Sequence, residues 1–260
     1  MPFARGRGVR LYYEWSGHES APVLVLNNGI LMNTASWAPQ APLAASFRVL
    51  RYDCRGQGQS DAPDEPYSMA GHAEDLAALL DELGVERAHI LGLSYGGEVA
   101  QAFALAHPGR VNRLVLADTV SEVRPELRLI VEGWRKAARS GDPDLFFLAS
   151  APWNFSPAFI ASHGPILEAA RARYRDLNFA AVARLCDAFL DVSFTRCLPR
   201  IGAPTCVIVG EADILKGLRY ARVLHRGIPG SELHVIDGAG HASSWEAPAR
   251  FNEIVLTFLR

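Results

Sequence analysis

Apolar residues along this chain alternate between two rhythms: short runs that are apolar through their centres, and longer stretches whose apolar positions recur at helical spacing. The short runs predict strands over Arg10–Trp15, Val23–Asn27, Arg48–Asp53, His89–Leu93, Arg113–Ala117, Thr205–Gly210 and Glu232–Ile236. Most lack the polar alternation of a half-exposed strand, so they suit a sheet covered on both faces. Between them, Met69–Leu83 places Leu76, Leu79, Leu80 and Leu83 on one face and Glu74, Asp75, Asp81 and Glu82 elsewhere, an amphipathic helix that Ser68 can cap. Val99–His107 and Pro248–Leu259 have the same character. Strands alternating with helices predict an α/β fold with a mostly parallel, doubly covered sheet.

The alternation stops between Ser121 and Leu198, where helical patterning is punctuated by Gly141-Asp142-Pro143, Ala151-Pro152 and Gly164-Pro165. Trp134, Phe146, Phe147, Trp153, Phe155, Phe159 and Phe179 concentrate there, either packing the segment's own small core or facing a pocket. The expected organisation is a core of residues 1–120 and 199–260 interrupted by a helical cap, or lid, of residues 121–198.

Composition narrows the classes of function. The 260 residues are 49% hydrophobic, enough for a full-sized core, and no cofactor is needed to hold the fold. Twenty-six basic and 28 acidic residues leave a formal charge of −2 with arginines scattered along the chain, which excludes an electrostatic case for nucleic acid. Cys54, Cys186, Cys197 and Cys206 show neither a Cys-x-x-Cys spacing nor a pairing with histidine, so no metal is expected. Met1 to Gly17 lacks the apolar segment of a signal peptide, and no stretch has the length of a membrane span. The expectation is a reduced, soluble, cytoplasmic protein.

The chemistry centres on Ser94, in Gly92-Leu93-Ser94-Tyr95-Gly96-Gly97, between the apolar run His89-Ile90-Leu91 and a helix-patterned stretch. A strand turning sharply into a helix forces its central residue into a strained conformation and exposes the hydroxyl at the sheet's edge; flanking glycines remove the clashes. A serine hydroxyl needs a base, and the base needs an orienting acid. Of the eight histidines, His241 alone lies in a glycine-rich loop beyond a strand, Asp237-Gly238-Ala239-Gly240-His241. Asp213, just beyond the run Cys206–Val209, is the leading acid; Asp118, also after a strand, and Glu211 are alternatives. Backbone donors for an oxyanion are expected at Tyr95 and at Ile30, in the loop Asn27-Asn28-Gly29-Ile30. Ile30, Tyr95 and Leu31 are candidate pocket walls. Asn28, which can also simply satisfy the turn, and Trp153 from the cap are further substrate-binding candidates.

These motifs together resemble the α/β-hydrolase superfamily along nearly the whole chain. Ser94, Asp213 and His241 follow its Ser…Asp…His order. Asp53-Cys54-Arg55-Gly56-Gln57-Gly58-Gln59-Ser60 is similar to its Asp-x-Arg-Gly-x-Gly-x-Ser turn, and Gly238-Ala239-Gly240-His241 with Glu246-Ala247-Pro248 to the segment around its histidine. Most relatives carry His-Gly where this chain has Asn28-Gly29. That departure, and Phe47 to Asp53, resemble the 3-oxoadipate enol-lactonase and carboxylesterase branch, while Asn28 to Ser36 is also similar to acyltransferase-like relatives. Serine rather than aspartate at position 94 disfavours dehalogenase and epoxide hydrolase chemistry. The resemblance implies an α/β-hydrolase fold with a helical cap insertion and hydrolysis of a small ester or lactone through an acyl-enzyme. Acyl transfer from the same intermediate, and a low-turnover ligand receptor on this fold, are the alternatives.

Overall fold

The computed structural model describes residues 2–5 and 7–260. Eight strands, β1 (Phe3–Arg5), β2 (Arg10–Ser16), β3 (Val23–Asn27), β4 (Arg48–Tyr52), β5 (Ala88–Leu93), β6 (Val111–Ala117), β7 (Thr205–Gly210) and β8 (Glu232–Ile236), form one sheet in the order β1-β2-β4-β3-β5-β6-β7-β8. β1 and β2 pair antiparallel at one edge and the remaining strands run parallel. Successive side chains of the central strands enter opposite cores, as the two-residue period of a strand requires. Val25, Ile90, Leu114, Leu116, Val207 and Val209 face one side, and Leu24, Leu26, Leu91, Val115, Cys206 and Ile208 the other. Burying each larger aliphatic side chain contributes roughly 1.5–3 kcal/mol, so the sheet centre is a rigid platform for the loops at its carboxyl edge.

The helices are α1 (Met69–Glu82), α2 (Tyr95–Ala106), α3 (Pro125–Ser140), α4 (Pro143–Asn154), α5 (Pro157–Ser162), α6 (Gly164–Arg173), α7 (Phe179–Leu190), α8 (Leu218–Gly227), α9 (Ser243–Glu246) and α10 (Pro248–Leu259). Ser68 caps α1, its hydroxyl accepting from the Gly71 N–H at 3.0 Å. α3 to α7 lie between β6 and β7, with α3 packed on α7. The two ends of this insertion are tied together: Glu122 bridges Ser193, the Phe194 N–H donates to the Ser121 carbonyl at 2.6 Å, and the Ser121 and Thr195 hydroxyls bond at 2.8 Å. Such a base lets a helical insertion stand on the sheet without disturbing the strands it separates.

Three elements depart from the sequence expectation. α2 begins at Tyr95, four residues before the apolar pattern suggests, because two glycines of low helix propensity occupy its first turn. β1 is too short to show a period. The segment Thr34–Ala45 is a run of 3₁₀ turns carrying Pro39 and Pro42, which an α-helical pattern would not reveal. Among the described residues no helix is long and apolar enough to cross a membrane, and the four cysteines are unpaired.

Candidate active site

Ser94 forms the corner between β5 and α2, with φ of 52° and ψ of −117°. This backbone region is costly for a residue with a side chain and persists only where surrounding packing enforces it. The packing here is explicit. A Cβ on Gly92 would lie 2.2 Å from the Gly96 carbonyl oxygen, and one on Gly96 would lie 2.1 Å from that of Asn27. The Ser94 N–H donates to the Ala117 carbonyl at 2.9 Å, and its own carbonyl accepts from the Thr119 hydroxyl at 2.9 Å. The other non-glycine residues with positive φ are Leu31 (70°) and Asp118 (47°), on the loops after β3 and β6. Backbone strain among the described residues outside glycine is therefore confined to three loops at one edge of the sheet.

The structure brings Ser94, His241 and Asp213 into one hydrogen-bonded line. Ser94 Oγ is 2.9 Å from His241 Nε2, and His241 Nδ1 is 2.9 Å from Asp213 Oδ2. All three side chains are buried. Asp213 Oδ1 accepts from the N–H groups of Leu215 and Lys216, each at 2.8 Å, so the carboxylate cannot rotate away from the ring. With Oδ2 accepting the Nδ1 proton, the Nε2 lone pair is left to accept from the serine hydroxyl. Glu211, in contrast, accepts from the Gly238 N–H at 2.9 Å in an exposed loop.

Asp118 is fully buried but makes a different pair of bonds, from the Gly210 N–H at 2.9 Å and the Ser243 hydroxyl at 2.5 Å. It thus ties the end of β6 to the strand end preceding Asp213 and to the helix following His241. Burial, and next the charge of Asp213, push the Asp118 carboxyl up to about 7, with His241 acting in the opposite direction.

Tyr95 is the first residue of α2, so its N–H has no intrahelical acceptor. Nor does the Ile30 N–H find an acceptor among the described residues. The loop carrying Ile30 is pinned from below: Asn28 Nδ2 donates to Asp53 Oδ1 at 3.3 Å, Asn28 Oδ1 accepts from the Trp37 indole at 2.7 Å, and the Thr34 N–H donates to Asp53 Oδ1 at 2.7 Å. Asn28 is completely buried, with both amide atoms occupied. Trp153 is half-buried against the main core. Neither is among the residues that wall the cavity over Ser94 and His241. Asn28 holds the loop through its bonds to Asp53 and Trp37.

A cavity of about 460 Å³ opens on Ser94 and His241, walled by Ile30, Leu31 and Met32 from the β3 loop and by Phe155, Ile166 and Tyr174 from the cap. Its size and mostly apolar walls, which also include Arg173, suit a small organic molecule. The cap reaches the histidine loop directly, the Ser156 N–H donating to Glu246 Oε1 at 3.0 Å and the Ala242 N–H to the Asn154 carbonyl at 2.9 Å. No group of metal-ligating side chains occurs among the described residues.

Sequence reasoning missed a buried ion pair behind the site. Lys216 Nζ lies 2.9 and 3.1 Å from the two Glu98 oxygens and 4.3 Å from the centre of the Phe189 ring; Glu98 accepts from the Val120 N–H at 3.1 Å and, at 2.5 Å from Thr119 Oγ1, shares that hydroxyl's one proton with the Ser94 carbonyl. Burial lowers the Lys216 ammonium from its ordinary value, and the Glu98 charge partly restores it. The only local signal was that Lys216 is one of two lysines in a chain otherwise supplied with arginine. The pair joins the helix under Ser94 to the loop of Asp213. Lys216→Met, which leaves a buried carboxylate without its cation, is expected to cost ~3–5 kcal/mol, read as a lower denaturation midpoint with an unchanged slope. The double variant Glu98→Gln/Lys216→Met should recover most of that loss.

Comparison with known proteins places these features in context. Residues 22–248 match the family model for the alpha/beta hydrolase fold. The chain is 31% identical over 262 residues to the "Putative carbamate hydrolase RutD" of Azorhizobium caulinodans, covering 99% of this chain and 98% of that protein. It is 28% identical over 259 residues to 3-oxoadipate enol-lactonase 1 of Acinetobacter baylyi, covering 98% and 94%. Among solved structures, the enol-lactonase from Burkholderia xenovorans LB400 superposes with a TM-score of 0.93 at 31% identity, covering 99% of both chains.

Proposed function

The chain belongs to the α/β-hydrolase family, and we propose that within it the protein is a serine hydrolase that cleaves a carboxylic ester or lactone through an acyl-enzyme. The observation that carries this reading is the continuous line from Ser94 Oγ through the His241 ring to Asp213, with 2.9 Å at both links. His241 Nε2 takes the hydroxyl proton as Ser94 Oγ bonds to the acyl carbon, and Asp213 holds the ring and offsets its positive charge. The oxyanion is received by the N–H groups of Tyr95 and Ile30. His241 then gives its proton to the leaving oxygen, and the alcohol departs. A water molecule repeats the sequence on the acyl-enzyme, yielding the acid and free Ser94. Leu31 is a wall of the substrate cavity, and lactones enter the reading because two of the similar proteins are named as enol-lactonases.

A fluorophosphonate probe tests the assignment, since it reacts only with a serine whose proton is removed within an oxyanion-stabilising site. Mass spectrometry of the labelled protein is expected to place one adduct on Ser94. Labelling elsewhere, or none in folded protein, would rule the reading out.

A further inference from the structure

Ser94 borders two pockets of very different size. Beside the 460 Å³ cavity lies a second pocket of about 20 Å³ that shares only Ile30 and Ser94 with it. Since roughly 10–15 Å³ of such space accommodates one water molecule, the smaller pocket admits a group of one or two heavy atoms. Leu127, Val131 and Trp134 of α3, Phe189 of α7 and Tyr95 at the start of α2 line it.

The position of His241 assigns the two halves of an ester to these pockets. When the tetrahedral intermediate collapses, the leaving oxygen must receive the proton on Nε2, so the alcohol lies on the imidazole side. His241 lines the large cavity and not the small one. The acyl substituent is left with the small pocket, next to the two expected oxyanion donors. Lys216 also borders that pocket, but its charge is matched by Glu98 at 2.9 Å, so no unpaired cation waits there for an anionic acyl chain.

We infer that the preferred substrates are open-chain esters of a short, uncharged acyl group, acetyl or propionyl, with a bulky and largely apolar alcohol. This rests on the proposed nucleophile and deepens that reading. A lactone tethers acyl and alcohol portions in one ring and so uses the two pockets poorly.

Two isomeric esters separate the possibilities. 2-Phenylethyl acetate and methyl 3-phenylpropanoate share a molecular formula and release alcohols of comparable acidity, but place the phenyl group on opposite sides of the ester. The acetate is expected to be turned over with a kcat/KM at least about tenfold higher, the scale on which a pocket rejects excess hydrocarbon. Lengthening the acyl group to 2-phenylethyl butanoate should lower the rate, and Val131→Ala or Leu127→Ala, either of which widens the small pocket, should narrow the gap between acetate and butanoate. Equal rates for the isomers, preference for the propanoate, a faster lactone, or an unchanged acetate-to-butanoate ratio in both variants overturns the inference. So does failure to hydrolyse any of them, and fluorophosphonate labelling of Ser94 in the same samples then decides whether the proposed function fails as well.

Discussion

Replacing Ser94 by alanine is expected to lower kcat for ester hydrolysis by a factor on the order of 10⁴ or more, because nucleophile, base and acid act as one unit. The substitution removes a single oxygen. His241 Nε2 then has no proton to take from the chain, and no covalent intermediate can form, while the donors of Tyr95 and Ile30 still polarise a bound carbonyl. That remnant is why the expected loss is finite. The fold should be indifferent to the change, since the strained turn is enforced by backbone contacts of Gly92 and Gly96 rather than by the hydroxyl. Steady-state rates with a simple acetate ester, alongside thermal unfolding of both proteins, give the test. A well-folded Ser94→Ala protein that keeps more than a tenth of the parent rate is incompatible with nucleophilic catalysis at this residue.

What the sequence disclosed and what it hid divide along one physical line. Ser94, Asp213 and His241 could be picked out because each sits in a short segment with its own signature: a strand, then a turn residue or glycine at the sheet's carboxyl edge, where sites assemble in open α/β folds. The amphipathic period of Met69 to Leu83 and the capping serine before it are likewise local. The pairing of Glu98 with Lys216 and of Asp118 with Ser243 spans more than a hundred residues in each case, and neither segment shows which partner it meets. Only the crossing of β5, β6 and β7 brings them together. The direction of cap side chains is hidden for the same reason. Phe155 and Trp153 are near neighbours in sequence and similar in chemistry, yet one walls the cavity and the other packs on the core, an outcome set by how α4 docks. Asn28 shows the converse case, a polar residue beside the site whose bonds to Asp53 and Trp37 consume its chemistry in holding a loop.

The two buried carboxyls near His241 should respond to the same substitution in opposite ways. Asp213→Asn is expected to reduce kcat by about 10⁴: the amide can present an N–H to Nδ1, which favours the tautomer whose proton sits on Nε2, and Ser94 then loses its acceptor. Asp118→Asn should leave activity within roughly tenfold of the parent, since the amide oxygen can still accept from Gly210 and its N–H₂ can donate to Ser243. Its consequence lies in stability. The unfolded chain ionises this side chain near its ordinary value of 3.8, whereas the folded protein keeps the proton up to about 7. Across that interval the native state binds more protons than the unfolded one, so this group's contribution to stability declines as pH rises from about 4 to about 7 and then levels off. Denaturant titrations at several pH values should show a flatter profile in Asp118→Asn over that window. Were Asp118→Asn instead the variant that abolished turnover, with Asp213→Asn active, the orienting acid would be the one at the end of β6, and the 2.9 Å contact between Asp213 and His241 would be a structural bond alone.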